Sequence, residues 1–196
     1  MMKRLLDVVA AAGGLLLTSP LLLVAAIAVR AEAGAPVLFT QERVGRHGRP
    51  FRILKFRTMR NDVGGAQVTT GHDPRITRSG RWLRSTKIDE LPQLVNVLRG
   101  EMSLVGPRPE VAKYVAEWPA AARAEILSVR PGITDPASIA FRREAEELAE
   151  VVDPERHYVE VILPRKVAMY RDYVRTRSFV GDLKIIFRTL RTVAED

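Results

Sequence analysis

Residues 15–25 read LLLTSPLLLVA, an apolar run with a Ser-Pro pair near its middle. How that pair is read decides how the chain sits in space. From Leu5 to Val29 only Asp7, Thr18 and Ser19 are polar. As one straight helix this stretch covers about 37 Å, more than the ~30 Å of a bilayer's hydrocarbon core. A single spanning helix is one reading. A secretory signal is another, since Lys3 and Arg4 precede the run and small residues close it, although the run exceeds a usual signal core. Pro20 opens a third. It offers no N–H to the carbonyl of Leu16 and its ring crowds that carbonyl, while Ser19 is placed to satisfy the freed group. The two halves reach about 21 Å and about 15 Å, so neither crosses alone. Basic residues flank both ends, Lys3 and Arg4 before and Arg30 after, and positive charge favours the cytoplasmic side. A helix–break–helix that enters and leaves by one face satisfies both flanks; a kinked span satisfies one. On the residues alone both stay open.

The 196 residues suffice for one domain with a sizeable core. Lys and Arg number 31 against 23 Asp and Glu, a formal charge of +8. Such a balance implies anionic company: nucleic acid, an anionic membrane surface or phosphorylated ligands. The absence of cysteine excludes disulfides and thiolate metal sites.

Beyond the apolar run, PVLFTQERVG and PFRILKFRTM are partly alternating and flank RHGR, which predicts two short strands around a turn. Residues 61–75, with three glycines, read as a loop. LPQLVNVLRG predicts a helix stopped at Gly100. Two helical patches follow, at 111–118 and 120–129, separated by Pro119, and RPGITDP reads as a turn. Residues 141–152 and 154–175 look helical, the latter interrupted by Pro164. In the closing FVGDLKIIFRTLRTV, Leu183, Ile186, Phe187 and Leu190 share one helical face and Lys184, Arg188 and Arg191 another. This is either a surface helix packed on the core or one lying in an anionic bilayer interface.

Asp89 and Glu90 sit in STKIDELPQL, where Pro92 suits the first turn of a helix. Acidic residues belong there as caps and dipole partners in any case. The same position keeps a carboxylate ionised, able to bind Mg²⁺ or to attack phosphorus. Around the pair lie Arg43, Arg46, Arg52, Lys55 and Arg57, and Arg108 is held between Pro107 and Pro109. Two prolines stiffen that turn and can pre-aim the Arg108 fork toward phosphate. No Walker loop, dinucleotide fingerprint or zinc set is present, and His47, His72 and His157 are scattered.

KFRTMR, DELPQLVNVLRGEMSLVGPRPE and RPGIT together resemble the bacterial sugar transferase family, the small monotopic phosphoglycosyl transferases. The basic start, the Ser-Pro break and SFVGDLKIIFRTL are similar as well, so the resemblance covers nearly the whole chain. It implies an α+β, mainly helical fold. An N-terminal re-entrant membrane helix–break–helix at Ser19 and Pro20 (residues 1–33) would precede a small cytosolic catalytic domain (34–196) with a β-hairpin and interfacial amphipathic helices. The chain has the size of the family's minimal catalytic form. The implied reaction moves a sugar 1-phosphate from a UDP-sugar to undecaprenyl phosphate, releases UMP and starts a surface glycan such as capsule, exopolysaccharide or O-antigen. The resemblance further implies Mg²⁺ and a dyad of Asp89 and Glu90, with Asp89 as covalent nucleophile and metal ligand. Glu90 would position the metal or accept a proton. Lys55, Arg57 and Arg108 would contact phosphates or uridine, with Pro107 and Pro109 shaping the turn. Expected partners are UDP-sugar, undecaprenyl phosphate and membrane lipid, without nucleic acid and with a homodimer left open. The expected location is the cytoplasmic face of the bacterial inner membrane. One segment departs from the pattern: after PGIT the chain reads DPASIAFRREAEE where many relatives carry Gly-Trp-Ala-Gln-Val, so no role transfers to Arg142 or Arg143.

Two rival functions share the composition. A non-catalytic, membrane-anchored basic module for anionic lipid has no need of two acidic residues beside its basic patch. A glycosyltransferase acting on polyprenyl phosphate would release UDP instead of UMP.

Overall fold

A computed structural model describes residues 2–60 and 73–195. Most of the expected 61–75 loop, and any role for it over substrate, therefore falls outside the described residues. The fold is mainly helical α+β. A first helix, α1 (Met2–Ala33), is followed by the strands β1 (Leu38–Val44) and β2 (Pro50–Phe56). These form the expected antiparallel hairpin, Leu38 opposite Phe56 and Val44 opposite Pro50.

Helix α1 runs through Thr18, Ser19 and Pro20 without leaving helical conformation, where the sequence reading placed a break. The hydroxyls explain the continuity. Ser19 Oγ donates to the carbonyl of Leu16 at 2.8 Å, the acceptor that Pro20 leaves without an amide, and Thr18 Oγ1 donates to Gly14 at 2.7 Å. Among the described residues, α1 is the one helix long and apolar enough to cross a membrane.

One face of α1 packs on the rest of the chain while the other stays bare. Asp7, Ala11, Ala25 and Val29 are buried. Ala11 joins Phe51, Ile53, Leu94, Val97 and Met102 in one apolar cluster, and Ala25 and Val29 join Phe56, Leu83 and Ile88 in another. Leu16 and Leu17, on the opposite face, are largely exposed. Polar groups fix the start of the helix. Arg4 donates to the carbonyls of Val97 and Leu98, and the buried carboxylate of Asp7 accepts from Ser103 Oγ and from the Leu104 amide. Lys3 donates to the carbonyl of Val105 at 3.0 Å and pairs with Asp182 at 2.5 Å. Lys3 and Arg4 thus hold the tertiary structure in addition to flanking the apolar run.

Helix α2 (Arg78–Ser85), absent from the sequence reading, is capped by Thr77, whose Oγ1 accepts from the Gly80 amide at 2.9 Å. The Glu32 carboxylate accepts from the amides of Arg78 and Ser79 and so ties the end of α1 to the start of α2. Helix α3 (Gln93–Arg99) stops at Gly100, whose left-handed φ of 83° closes it as expected. Buried Asn96 locks α3 to β2, accepting from the Leu54 amide and donating to the Arg52 carbonyl.

The largest departure from the sequence reading lies at RPGITDP. It is a strand, β4 (Gly132–Thr134), parallel to β3 (Ser103–Val105), with Ser103 opposite Gly132. Gly106 and Gly132 stand back to back; a Cβ on Gly132 would lie 2.1 Å from the Gly106 nitrogen. Gly132→Ala must therefore push backbone apart. It is expected to lose roughly 3 kcal/mol of stability, read by denaturant unfolding, and wild-type stability would show that the two strands do not need this approach.

Helices α4 (Ala112–Ala116) and α5 (Ala120–Ile126) flank Pro119 as predicted. Of residues 136–153 half are helical, in α6 (Pro136–Ala140) and the single turn α7 (Glu144–Glu147), so the helix expected over 141–152 shortens to α7. Helix α8 (Pro154–His157) leads through a π turn, Tyr158–Ile162, into α9 (Leu163–Thr176). Pro164 is the second residue of α9, directly after the π turn, and the backbone stays helical through the expected interruption. Trp118, Ile126, Tyr158, Ile162 and Tyr170 are among the residues of the main helical core. The final helix, α10 (Phe179–Glu195), is amphipathic as expected, and its Phe179, Val180, Leu183, Phe187 and Leu190 are exposed.

Candidate active site

Lys87 adopts a left-handed conformation (φ 57°) after α2 and turns the chain into a short 3₁₀ turn, Ile88–Glu90. The carboxylate pair sits in this turn, one step before the start of α3, with Pro92 at its N-cap. The amides of Glu90 and Leu91 bond back to Lys87 and Ile88, which keeps the turn tight.

The two acids have opposite surroundings. Glu90 is fully engaged: its Oε1 accepts from Lys55 Nζ at 2.8 Å and from Arg108 Nη2 at 2.5 Å, and its Oε2 from Arg108 Nη1 at 3.2 Å. Burial acts to raise its pKa, but Arg108 and Lys55 outweigh it and hold the carboxyl well below the ordinary range. Asp89 is 7% exposed, and its Oδ1 is buried without a hydrogen-bond partner. Burial, reinforced by the charge of Glu90, pushes its pKa up to about 6, against the pull of Lys55, Lys87 and Arg84. One carboxylate is a locked anion; the other is an unpartnered oxygen with raised proton affinity. That division suits two different roles.

Each cation has a defined support. Lys55 projects from β2, and burial lowers its pKa. Arg108 follows β3 in the turn fixed by the two glycines, where the Pro107 carbonyl accepts from the Gly132 amide at 3.0 Å. The Pro109 carbonyl accepts from Arg43 Nη1, and Arg43 also pairs with Glu110 at 3.5 Å. Tyr158 donates to that same Glu110 at 2.8 Å. Arg43 is thus a brace for the Pro-Arg-Pro turn.

The structure brings together Asp89, Glu90, Lys55 and Arg108, with Pro107 and Pro109 in the supporting turn. Arg57 is placed otherwise: its guanidinium donates to the carbonyls of Ala33, Gly34 and Ala35 and closes the end of α1. A cation at a helix C-terminus satisfies its last carbonyls and its dipole. Arg84 and Lys87 were not singled out by the sequence, yet both act on the charge of Asp89. Lys87 lies two residues from Asp89 in the chain, so proximity alone could have flagged it; Arg84 reaches the site only through the α2 turn.

Part of this site opens onto a cleft of about 480 Å³, whose lining includes Glu90 and Arg108 but neither Asp89 nor Lys55. Arg84, Lys87, Glu90 and Arg108 give it a charged part, and Leu91, Leu94, Leu104, Ile133, Ile186 and Leu190 an apolar part. Helix α10 forms one wall, and Thr134 of β4 meets Thr189 of α10 in a hydroxyl–hydroxyl bond of 2.7 Å.

Mg²⁺ is the one metal the sequence resemblance implies. Among the described residues no three His, Cys, Asp or Glu side chains group as a metal set. Mg²⁺ asks for less: one or two carboxylates, with water and substrate phosphate oxygens completing the shell. The orphaned Oδ1 of Asp89 beside Glu90 fits that demand.

A buried carboxylate with one unpartnered oxygen beside converging cations is an arrangement suited to phosphoryl chemistry. The sequence comparison agrees. The model of the family described as bacterial sugar transferase matches residues 1–196, and the chain belongs to that family. It is 45% identical over 96% of its length to a UDP-glucose:undecaprenyl-phosphate glucose-1-phosphate transferase of Caulobacter vibrioides, covering 68% of that protein. It is 42% identical over 96% of its length to an undecaprenyl-phosphate glucose phosphotransferase of Komagataeibacter xylinus, covering 35%. It is 36% identical over 97% of its length to a UDP-N-acetylgalactosamine-undecaprenyl-phosphate N-acetylgalactosaminephosphotransferase of Aeromonas hydrophila, covering 43%. The chain thus spans about two thirds of the first relative and less than half of the other two.

Proposed function

We propose that the protein transfers a sugar 1-phosphate from a UDP-sugar to undecaprenyl phosphate, releasing UMP and starting a surface glycan. The observation that carries this reading is the unpartnered oxygen of buried Asp89 beside a Glu90 locked by Lys55 and Arg108. The relatives' names supply the substrate classes. In the first step Asp89 attacks the β-phosphorus of the donor; a carboxylate–phosphorus bond forms and the bond to the bridging oxygen breaks, with UMP leaving. In the second, a phosphate oxygen of the acceptor attacks the same phosphorus and frees Asp89. Arg108 and Lys55 face the charge that develops on the phosphoryl oxygens. Glu90, with its low proton affinity and both oxygens engaged, is a poor base and a good clamp for those cations. Mg²⁺, held by Asp89 with Glu90 adjacent, would neutralise phosphate charge.

The chain is placed at the cytoplasmic face of the bacterial plasma membrane, with residues 1–33 as a membrane anchor that does not cross and 34–196 as the catalytic domain. What supports a non-crossing anchor is packing. The α1 face from Asp7 to Val29 is covered by the domain, so a helix driven through the bilayer would strip that face or drag charged groups into hydrocarbon. The bare faces of α1 and α10 suit contact with lipid.

The test is nucleotide release from detergent- or nanodisc-held protein with undecaprenyl phosphate and a panel of UDP-sugars. UMP is expected with one or two donors and only with Mg²⁺. Release of UDP would make the protein a glycosyltransferase, and silence from folded protein with every donor would favour a non-catalytic binder.

A further inference from the structure

Away from the dyad, the same cleft contains a second charged pair that the proposed chemistry does not use. Lys166 of α9 is buried and pairs with Glu144 of α7. Its ammonium stands 5.9 Å from the centroid of the Phe141 ring and 5.1 Å from that of Tyr158. Lys166, Glu144 and Phe141 all line the cleft. Tyr158 belongs to the π turn that leads into α9, a distortion frequent at functional sites. A buried ion pair is a poor source of stability, because desolvation offsets most of its attraction. Its place on a cleft wall points to recognition.

We infer that Lys166 and Glu144 form the subsite for the sugar of the donor, taking the hydroxyl groups of a neutral hexose. The inference rests on the UDP-sugar reading above. Its argument is one of charge. Phosphate groups are drawn to Lys87, Arg84 and Arg108, which sit beside the dyad without a full set of acids to cancel them. Lys166 is already neutralised by Glu144, so the pair offers no net attraction to a phosphate, and Glu144 repels a uronic acid carboxylate. A lipid chain gains nothing from a charged pair. A sugar hydroxyl, donor and acceptor at once, can give its proton to Glu144 and accept one from Lys166. Both residues are supplied by elements that follow β4.

The test separates sugar contact from nucleotide contact. Equilibrium binding of UDP and of the preferred UDP-sugar is measured on detergent-held wild type, Glu144→Gln and the uncharged double variant Glu144→Gln/Lys166→Met. The double variant leaves no buried charge unpaired and guards against a folding defect in the single one. Both are expected to weaken UDP-sugar binding by about tenfold or more while UDP binding stays within about twofold. Equal loss for UDP and UDP-sugar, or loss for neither, would overturn the subsite. If wild type releases no UMP with any donor but the variants still lose UDP-sugar selectively, the proposed reaction fails and the sugar subsite stands.

Discussion

Asp89→Asn is expected to leave the protein folded, to raise its stability at alkaline pH and to cut UMP-forming turnover by about a thousandfold or more. The two effects share one cause. Burial is the main reason that the Asp89 carboxyl titrates near 6 instead of 3.8. Because the folded-state value lies above the unfolded one, the folded chain holds this proton more tightly than the unfolded chain. The stability it confers is full below about pH 4 and is lost as pH rises through 6. Asn carries no charge to desolvate and should recover on the order of 2 kcal/mol at pH 8. The same titration governs rate: the nucleophile must be ionised, so wild-type kcat/KM should climb as pH rises toward 6 and level off above it. Thermal unfolding and single-turnover assays across pH check both. Undiminished turnover in Asp89→Asn would remove Asp89 from the chemistry.

Arg108→Met should lower kcat/KM by about 10²- to 10³-fold. Two losses combine. The developing phosphoryl charge loses its guanidinium, and Glu90 keeps only Lys55 of the two cations that hold its oxygens. Arg108→Lys separates them. It restores a charge but not a planar fork that can reach both oxygens of Glu90, so it should regain only part of the lost rate. Full activity in Arg108→Lys would mean that charge alone matters at this position.

Some of the site was readable in one dimension. Asp89 and Glu90 stand out because two acids precede a proline-started helix in a strongly basic chain. Arg108 stands out because prolines bracket it. Lys55 was equally visible as one cation among several on the hairpin, but nothing local separated it from Arg57. Lys55 and Arg57 are two residues apart and would share one face of a continuing strand; β2 ends at Phe56, so Lys55 meets Glu90 while Arg57, beyond the strand, turns to the end of α1. The hidden parts were non-local. Strand β4 has three residues, begins with Gly132 directly after Pro131 and is followed by Asp135-Pro136, so a turn was the natural reading; only its pairing with the distant β3, Ser103 opposite Gly132, makes it a strand. Helix α2 is mostly polar and charged, and its hold comes from Thr77 and from Glu32 of a distant helix.

By itself the sequence determined the apolar N-terminal helix, the β-hairpin, the stop at Gly100, the amphipathic final helix and the acidic pair, because each rests on local rules of periodicity, capping and charge. Only the tertiary structure decided that α1 stays helical through Pro20 with one face on the domain, that Glu90 is locked while Asp89 keeps a free oxygen, and that Lys166 meets Glu144 on a cleft wall. These outcomes depend on which buried groups find partners across the fold, and desolvation makes that pairing a property of the folded core.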